Sequence, residues 1–161
     1  MRSEADIARA MTRHADMVRR LCLVYLKNHA DAEDIFQGVF LKYALHEAPF
    51  VSDEQEKAWL IRVTRNACKD LCKSFFRSRT VSLDTLVNEP AALSQDSRDV
   101  LEAVLALPAP YREVVYLHYY EGYTAPQISQ ILGKNVNTIY TRMTRSKALL
   151  RKALGGDEED A

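Results

Sequence analysis

Residues 124–154 are punctuated so tightly that few arrangements are open to them. Thr124 offers a hydroxyl to cap a helix, and Pro126 fits the first turn, where its missing N–H has no intrahelical partner. The apolar pattern runs over residues 125–132 and stops at Gly133, which readily takes the left-handed conformation that ends helices. Asn135 is placed to cap the next helix. On a helical wheel Val136, Ile139, Met143, Leu150 and Leu154 share one face. Asn137, Thr138, Thr141, Arg145 and Lys152 lie opposite, with Arg142 beside them. Helix, three-residue turn, helix is the layout of a DNA-binding helix-turn-helix. Thr and Asn near a recognition helix's start can reach base edges, and Arg can take a guanine bidentately or a phosphate.

Charge supports that reading. The chain is neutral overall, with 22 basic and 22 acidic residues, but the signs are segregated. Residues 134–152 hold Lys134, Arg142, Arg145, Lys147, Arg151 and Lys152 and no acid. A merely solvated face normally mixes signs, so a polyanion partner accounts better for this one. A second basic stretch covers 59–79, with Asp70 as its single acid. There Arg62, Arg65, Lys69 and Lys73 recur every three or four residues and form one stripe, with Phe76 on it and Asn66 at its edge. Such a stripe tracks phosphates, and aromatic or amide groups beside it can hold an unstacked base. Trp59, the one tryptophan, fits either core packing or a base contact, as do Phe75 and Phe76.

The remaining patterns are helical. Ile7, Met11, Val18, Leu21, Tyr25 and Leu26 make one apolar stripe, broken at 27–30. Asp31 is the expected cap of a second helix to about 45, with Glu33 and Asp34 in its first turn and Ile35, Val39 and Phe40 on one face. A loop over 46–53 contains Pro49. A long helix is expected over 54–77, with Leu60, Val63, Ala67 and Leu71 buried. Helices resume at 98–106, stop at Leu107-Pro108-Ala109-Pro110 and restart at 111–120. Residues 80–97, with Pro90 and scattered polar groups, are expected to link two domains. The end, GGDEEDA, is a solvated tail or a regulatory acidic segment.

A 47% apolar composition excludes global disorder, and no apolar run nears the ~20 residues of a membrane span. The first residues lack a secretory core, so export is not expected. Cys22, Cys68 and Cys72 have no second ligand pair at zinc spacing and are expected as thiols in a reducing cytoplasm.

Three segments in order resemble an extracytoplasmic-function (ECF) sigma factor of the sigma-70 family of bacterial RNA polymerase. DAEDIFQGVFLK (31–42) resembles the core-binding helix. AWLIRVTRNACKDLCKSFFR (58–77) resembles the segment that opens and reads the minus-ten element. LPAPYREVVYLHYYEGYTAPQISQILGKNVNTIYTRMTRSKALLRKAL (107–154) resembles the minus-thirty-five reader. The resemblance implies an all-α fold of two small helical domains: 1–79 for core polymerase and the minus-ten element, then a flexible linker 80–97. The helix-turn-helix domain 98–154 would take the minus-thirty-five element, followed by an acidic tail 155–161. By position it implies that Asp34, Gln37, Phe40 and Leu41 contact core polymerase. Phe50, Arg62, Arg65, Asn66, Lys69 and Lys73 would serve the minus-ten strand, with the loop near Phe50 beside a flipped base. Thr138, Tyr140, Thr141, Arg142 and Arg145 would serve the minus-thirty-five duplex. It further implies a cytoplasmic initiation factor with no cofactor, metal or catalysis, whose partners are core RNA polymerase, promoter DNA as duplex and non-template single strand, and an anti-sigma factor, with no membrane insertion.

The sequence departs from the family pattern at Ser129 and Ser146 (usually alanine), Gln127 (usually glutamate), Tyr140 (often basic) and Gly38 (often glutamate). Without the resemblance, the acids of 31–34 are explained as first-turn dipole partners. Two other readings fit parts of the chain, a dimeric helix-turn-helix regulator and a module sequestering sigma-binding partners; a nuclease or other DNA enzyme is not supported, since the sequence shows no paired carboxylates, metal-spaced His or activated nucleophile.

Overall fold

The computed structural model describes the backbone at residues 1–78 and 95–155 and the side chains at 1–73 and 98–155. Most of the expected linker, the tail beyond Gly155, Arg79, and the side chains of Phe75, Phe76 and Arg77 lie outside these residues. Among those described, all regular structure is helical: α1 Glu4–Leu26, α2 His29–Leu45, α3 Asp53–Ser78, α4 Gln95–Leu105, α5 Ala109–Val115, α6 Ala125–Leu132 and α7 Val136–Ala153. The chain divides into two compact units, Met1–Val87 and Asn88–Ala161.

In the first unit α1, α2 and α3 pack on one another around Val18, Leu21, Val39, Leu60 and Ile61. Ser3 caps α1 by accepting from the Asp6 N–H at 3.1 Å, and Lys27, in the left-handed region at φ 57°, ends it. Asn28, not Asp31, then caps α2: its Oδ1 accepts from the Asp31 N–H at 3.0 Å. The turn between the helices is only Lys27 and Asn28, so His29 and Ala30 are already helical and Asp31 falls inside the first turn. Burial and the neighbouring Asp34 carboxylate push the Asp31 carboxyl up from its ordinary value.

A buried polar cluster joins the three helices beside this apolar core. His14 Nε2 lies 3.2 Å from Glu56 Oε1, and the Tyr43 hydroxyl donates to Glu56 Oε2 at 2.6 Å. One group from each helix satisfies the others, which lets all three be buried. Burial and the bond to Glu56 push the Tyr43 phenol up to about 12.

The buried face of α3 differs from the aliphatic stripe expected from sequence. Leu60, Ile61, Thr64 and Cys68 are fully buried, whereas Val63, Ala67 and Leu71 are half-buried. Thr64 can face inward because its hydroxyl donates to the Leu60 carbonyl at 2.7 Å. That rotation carries Arg65 inward as well.

In the second unit the helices around the prolines begin earlier than expected. α4 starts at Gln95, and α5 starts at Ala109 with Pro108 as its N-cap. Pro110 falls within the first turn of α5, where a proline costs no helical hydrogen bond. The buried Arg112 guanidinium donates to the Leu105 and Leu107 carbonyls, at 3.3 and 2.7 Å, and pins the turn between α4 and α5. α5 runs on into a π-helical turn, Tyr116–Tyr120. Leu117, Ile128 and Ile139 form the centre on which α5, α6 and α7 meet.

Among the described residues no helix is long and apolar enough to cross a membrane, and no group of three or more His, Cys, Asp or Glu is placed to hold a metal. Cys22 and Cys68 are buried free thiols and Cys72 an exposed one. The neighbouring Cys22 thiol and burial raise the Cys68 pKa, so Cys68 stays protonated.

Candidate nucleic-acid interface

The turn between α6 and α7 is built by local bonds. Thr124 Oγ1 accepts from the Gln127 N–H at 3.3 Å, while Gln127 Oε1 accepts from the Thr124 N–H at 2.9 Å. Glutamine therefore completes a reciprocal capping box. Gly133, at φ 67°, ends α6, and Asn135 starts α7 by accepting from the Asn137 N–H at 2.7 Å. The two serines that replace alanine are also satisfied. Ser129 donates to the Lys134 carbonyl across the turn, and buried Ser146 donates to the Arg142 carbonyl at 2.6 Å.

α7 is thereby held with its polar face open. Thr138, Thr141, Arg142 and Arg145 line one groove together with Asn137, and Pro108, Pro110 and Tyr111 form its other wall. Tyr140 is exposed but does not line this groove; at 100° per residue it lies about 160° from Thr138. The groove's arginines differ. Arg142 Nη1 is 4.0 Å from the carboxylate of Glu113, a residue only 3% exposed, so its head is tethered to α5. Arg145 is exposed and makes no ion pair among the described residues. Sequence reasoning missed Tyr111 and Glu113, because no local pattern ties residues of α5 to a helix more than twenty positions on.

In the first unit, Arg62, Asn66, Lys69 and Lys73 are exposed along α3. They span about 60° of the helix at 100° per residue, a width suited to one strand. Arg65 does not belong with them: it is 8% exposed and packed inward. The expected stripe therefore lacks Arg65, because the real buried face is centred nearer Ile61 and Thr64.

The 46–52 loop carries a ring cluster. Phe50 stacks with Tyr43 at 6.2 Å and 6° and with His46 at 5.4 Å and 22°, and Trp59 lies 4.6 Å from the His46 ring and 5.7 Å from Phe50. Trp59 is thus engaged in packing at the loop while still half-buried. Arg2 caps this cluster: its guanidinium carbon is 4.6 Å from the Tyr43 ring centroid and 5.0 Å from that of Phe50. Nothing in the sequence singled out Arg2.

On α2, Asp34, Gln37 and Leu41 are exposed on one side, Leu41 by 61%. Phe40 is turned about 60° from Gln37 and about 100° from Leu41 around the helix, towards the core. It is 6% exposed, with its ring 5.0 Å from Phe36 and 6.3 Å from Tyr43, so it is a core residue and not part of a partner surface. The correction follows from helical geometry, since the face that buries Phe36, Val39 and Tyr43 also carries Phe40.

Comparison with known proteins is consistent across both units. The family model for sigma-70 region 2 matches residues 10–80, and that for sigma-70, region 4 matches residues 97–150. The RNA polymerase sigma factor SigV of Bacillus subtilis (strain 168) is 28% identical over 152 residues, covering 92% of this chain and 91% of that protein. The ECF RNA polymerase sigma factor SigW of the same strain is 27% identical over 158 residues, covering 88% and 84%. In fold, the chain is similar to the sigma factor RpoE of Bartonella quintana, solved with the anti-sigma factor NepR: TM-score 0.78, 22% identity, 95% of this chain and 99% of that one.

Proposed function

Since the chain belongs to the sigma-70 family of RNA polymerase sigma factors, in its ECF group, and is a promoter-recognising transcription initiation factor, we propose how its residues divide that work. Residues 1–79 serve core polymerase and the minus-ten element, and residues 98–154 the minus-thirty-five element. The observation that carries this division is a second exposed basic stripe, Arg62, Asn66, Lys69 and Lys73, in a different unit from the acid-free recognition helix. A dimeric regulator would need a dimer face or ligand pocket there instead.

In this reading α7 enters the major groove. Arg145, exposed and without an ion pair among the described residues, takes a guanine edge or phosphate, and Thr138 and Thr141 reach neighbouring bases from the first turns. Arg142, tethered by Glu113, approaches from a fixed direction. Tyr140 lies outside the groove and contributes at most to the flank. On the first unit, the α3 stripe tracks the non-template phosphates and Asn66 bonds an exposed base edge. Unstacking costs a few kcal/mol per flipped base, which stacking and phosphate contacts offset. Asp34, Gln37 and Leu41 present a mixed polar and apolar face to core polymerase. The protein acts in the cytoplasm without chemistry of its own, and an anti-sigma factor holds it inactive, as the pairing of RpoE with NepR suggests for this fold.

Run-off transcription with purified core polymerase on a promoter-fragment library tests the function, and thymine reactivity on duplex and pre-opened templates tests the stripe. Arg62→Ala with Asn66→Ala should slow opening of duplex promoters while core binding persists. Normal opening by this variant would reduce the stripe to a solvated face, and initiation on no fragment would restore the dimeric-regulator reading.

A further inference from the structure

Resting on the reading that the 46–52 loop meets an extruded base of the minus-ten strand, we propose that Arg2 is a positioning residue for that recognition. It holds the loop and the Phe50 ring in the shape that receives the base. Three hydrogen bonds tie Arg2 to the end of α2 and the start of the loop. Its backbone N–H donates to the Ala44 carbonyl at 2.8 Å, its Nε to the Tyr43 carbonyl at 3.2 Å, and its Nη2 to the Ala48 carbonyl at 2.7 Å. The same guanidinium lies against the Tyr43 and Phe50 rings, which are parallel within 6°. One planar group therefore fixes the helix end, the loop backbone and the ring orientation together.

From the same side the Met1 ammonium also donates to Glu47 Oε2 at 3.0 Å, but both groups are largely exposed. At the far end of the loop, the Val51 N–H donates to Gln55 Oε1 at 2.6 Å, and Arg13 Nη1 donates to Asp53 Oδ1 at 2.6 Å. Between these anchors lies an open cavity whose lining includes Arg2, Arg13, Tyr43, Phe50, Ser52 and Asp53. Its lining combines aromatic rings with hydrogen-bond donors and acceptors in one concave site, the set needed to take a planar base with polar edges. The bond to Ala48 is exposed, so water replaces it when Arg2 is removed; the part-buried bond to Tyr43 is lost with it, while the backbone bond to Ala44 remains. What is lost is the loop's single geometry, and with it the discrimination among bases. Lysine keeps the charge but lacks the planar fork that reaches Tyr43 and Ala48 at once.

The test uses the full chain with core polymerase on bubble promoters carrying each of the four bases at every minus-ten position. Arg2→Ala should lose about tenfold in discrimination at one position, the one also lost in Phe50→Ala, equivalent to ~1.4 kcal/mol. Arg2→Lys should fold normally and show a loss in the same place. Trp59 emission should change in both Arg2 variants, since Trp59 packs on Phe50 and His46. Discrimination retained by both Arg2 variants while Phe50→Ala loses it would overturn the clamp. Equal losses at every position, or weakened core binding in Arg2→Lys, would make Arg2 a general structural residue and also overturn it. Unchanged discrimination in Phe50→Ala would instead overturn the loop reading on which the proposal rests.

Discussion

Replacing Phe40 by alanine should destabilise the first unit severely and affect polymerase only through that loss. The side chain is 6% exposed, and its ring is edge-on or tilted to Phe36 and Tyr43 at 5.0 and 6.3 Å. Truncating a buried phenylalanine costs about 3–5 kcal/mol, because transfer energy is lost and the cavity collapses only partly. Tyr43 limits that collapse, since its hydroxyl is held by Glu56 at 2.6 Å. For a domain of 60–100 residues each kcal/mol moves the midpoint by roughly 4–8 °C, so a loss near 3 kcal/mol lowers it by about 12–24 °C. Trp59, the chain's one tryptophan, reports this unit alone, so its fluorescence melt isolates the effect from the second unit. A midpoint within about 2 °C of the parent, with core binding abolished, would refute the argument and return Phe40 to a partner surface.

The exposed residues of the same helix should behave oppositely. Gln37→Ala with Leu41→Ala should leave the Trp59 midpoint within the ~0.5 kcal/mol typical of surface changes, yet weaken co-elution with core polymerase. Arg145→Ala should cost roughly 1–3 kcal/mol on a cognate minus-thirty-five duplex and little on a scrambled one, measured by fluorescence anisotropy. Lys152→Ala, on an exposed position outside the groove, should weaken both duplexes alike and reduce the salt slope by about one. Tyr43 binds its proton more tightly when folded than unfolded, so its contribution is complete below about pH 10 and is lost as pH rises towards about 12. Tyr43→Phe should remove that high-pH component from Trp59-monitored melts; an identical pH profile for both proteins would count against the Glu56 hydrogen bond.

The helix-turn-helix was legible from sequence because its instructions are local. Thr124, Gly133 and Asn135 act within a few residues of themselves, and each occupies the expected cap. The same locality explains the segregated basic stretches and the end of α2 at Leu45. The cap of α2 was misplaced because Asn28 and Asp31 are equally competent acceptors. The choice between them depended on where α1 ended, at a left-handed Lys27 that no propensity marks.

Tertiary structure decided which face of each helix meets the core. Periodicity located a stripe on α3 but weighed only aliphatic groups, whereas packing buried Thr64 and Cys68, whose polar atoms the fold accommodates, and drew Arg65 in with them. It likewise assigned Phe40 to the core and left Gln37 and Leu41 outside, a distinction of about 60–100° around the helix that a list of apolar residues does not make. The couplings of Arg2 to Ala48, Glu113 to Arg142 and His14 through Glu56 to Tyr43 join residues remote in sequence. Side-chain chemistry alone makes such partners possible; only the packing of the helices brings one acceptor, and not its rivals, within hydrogen-bond or ion-pair reach.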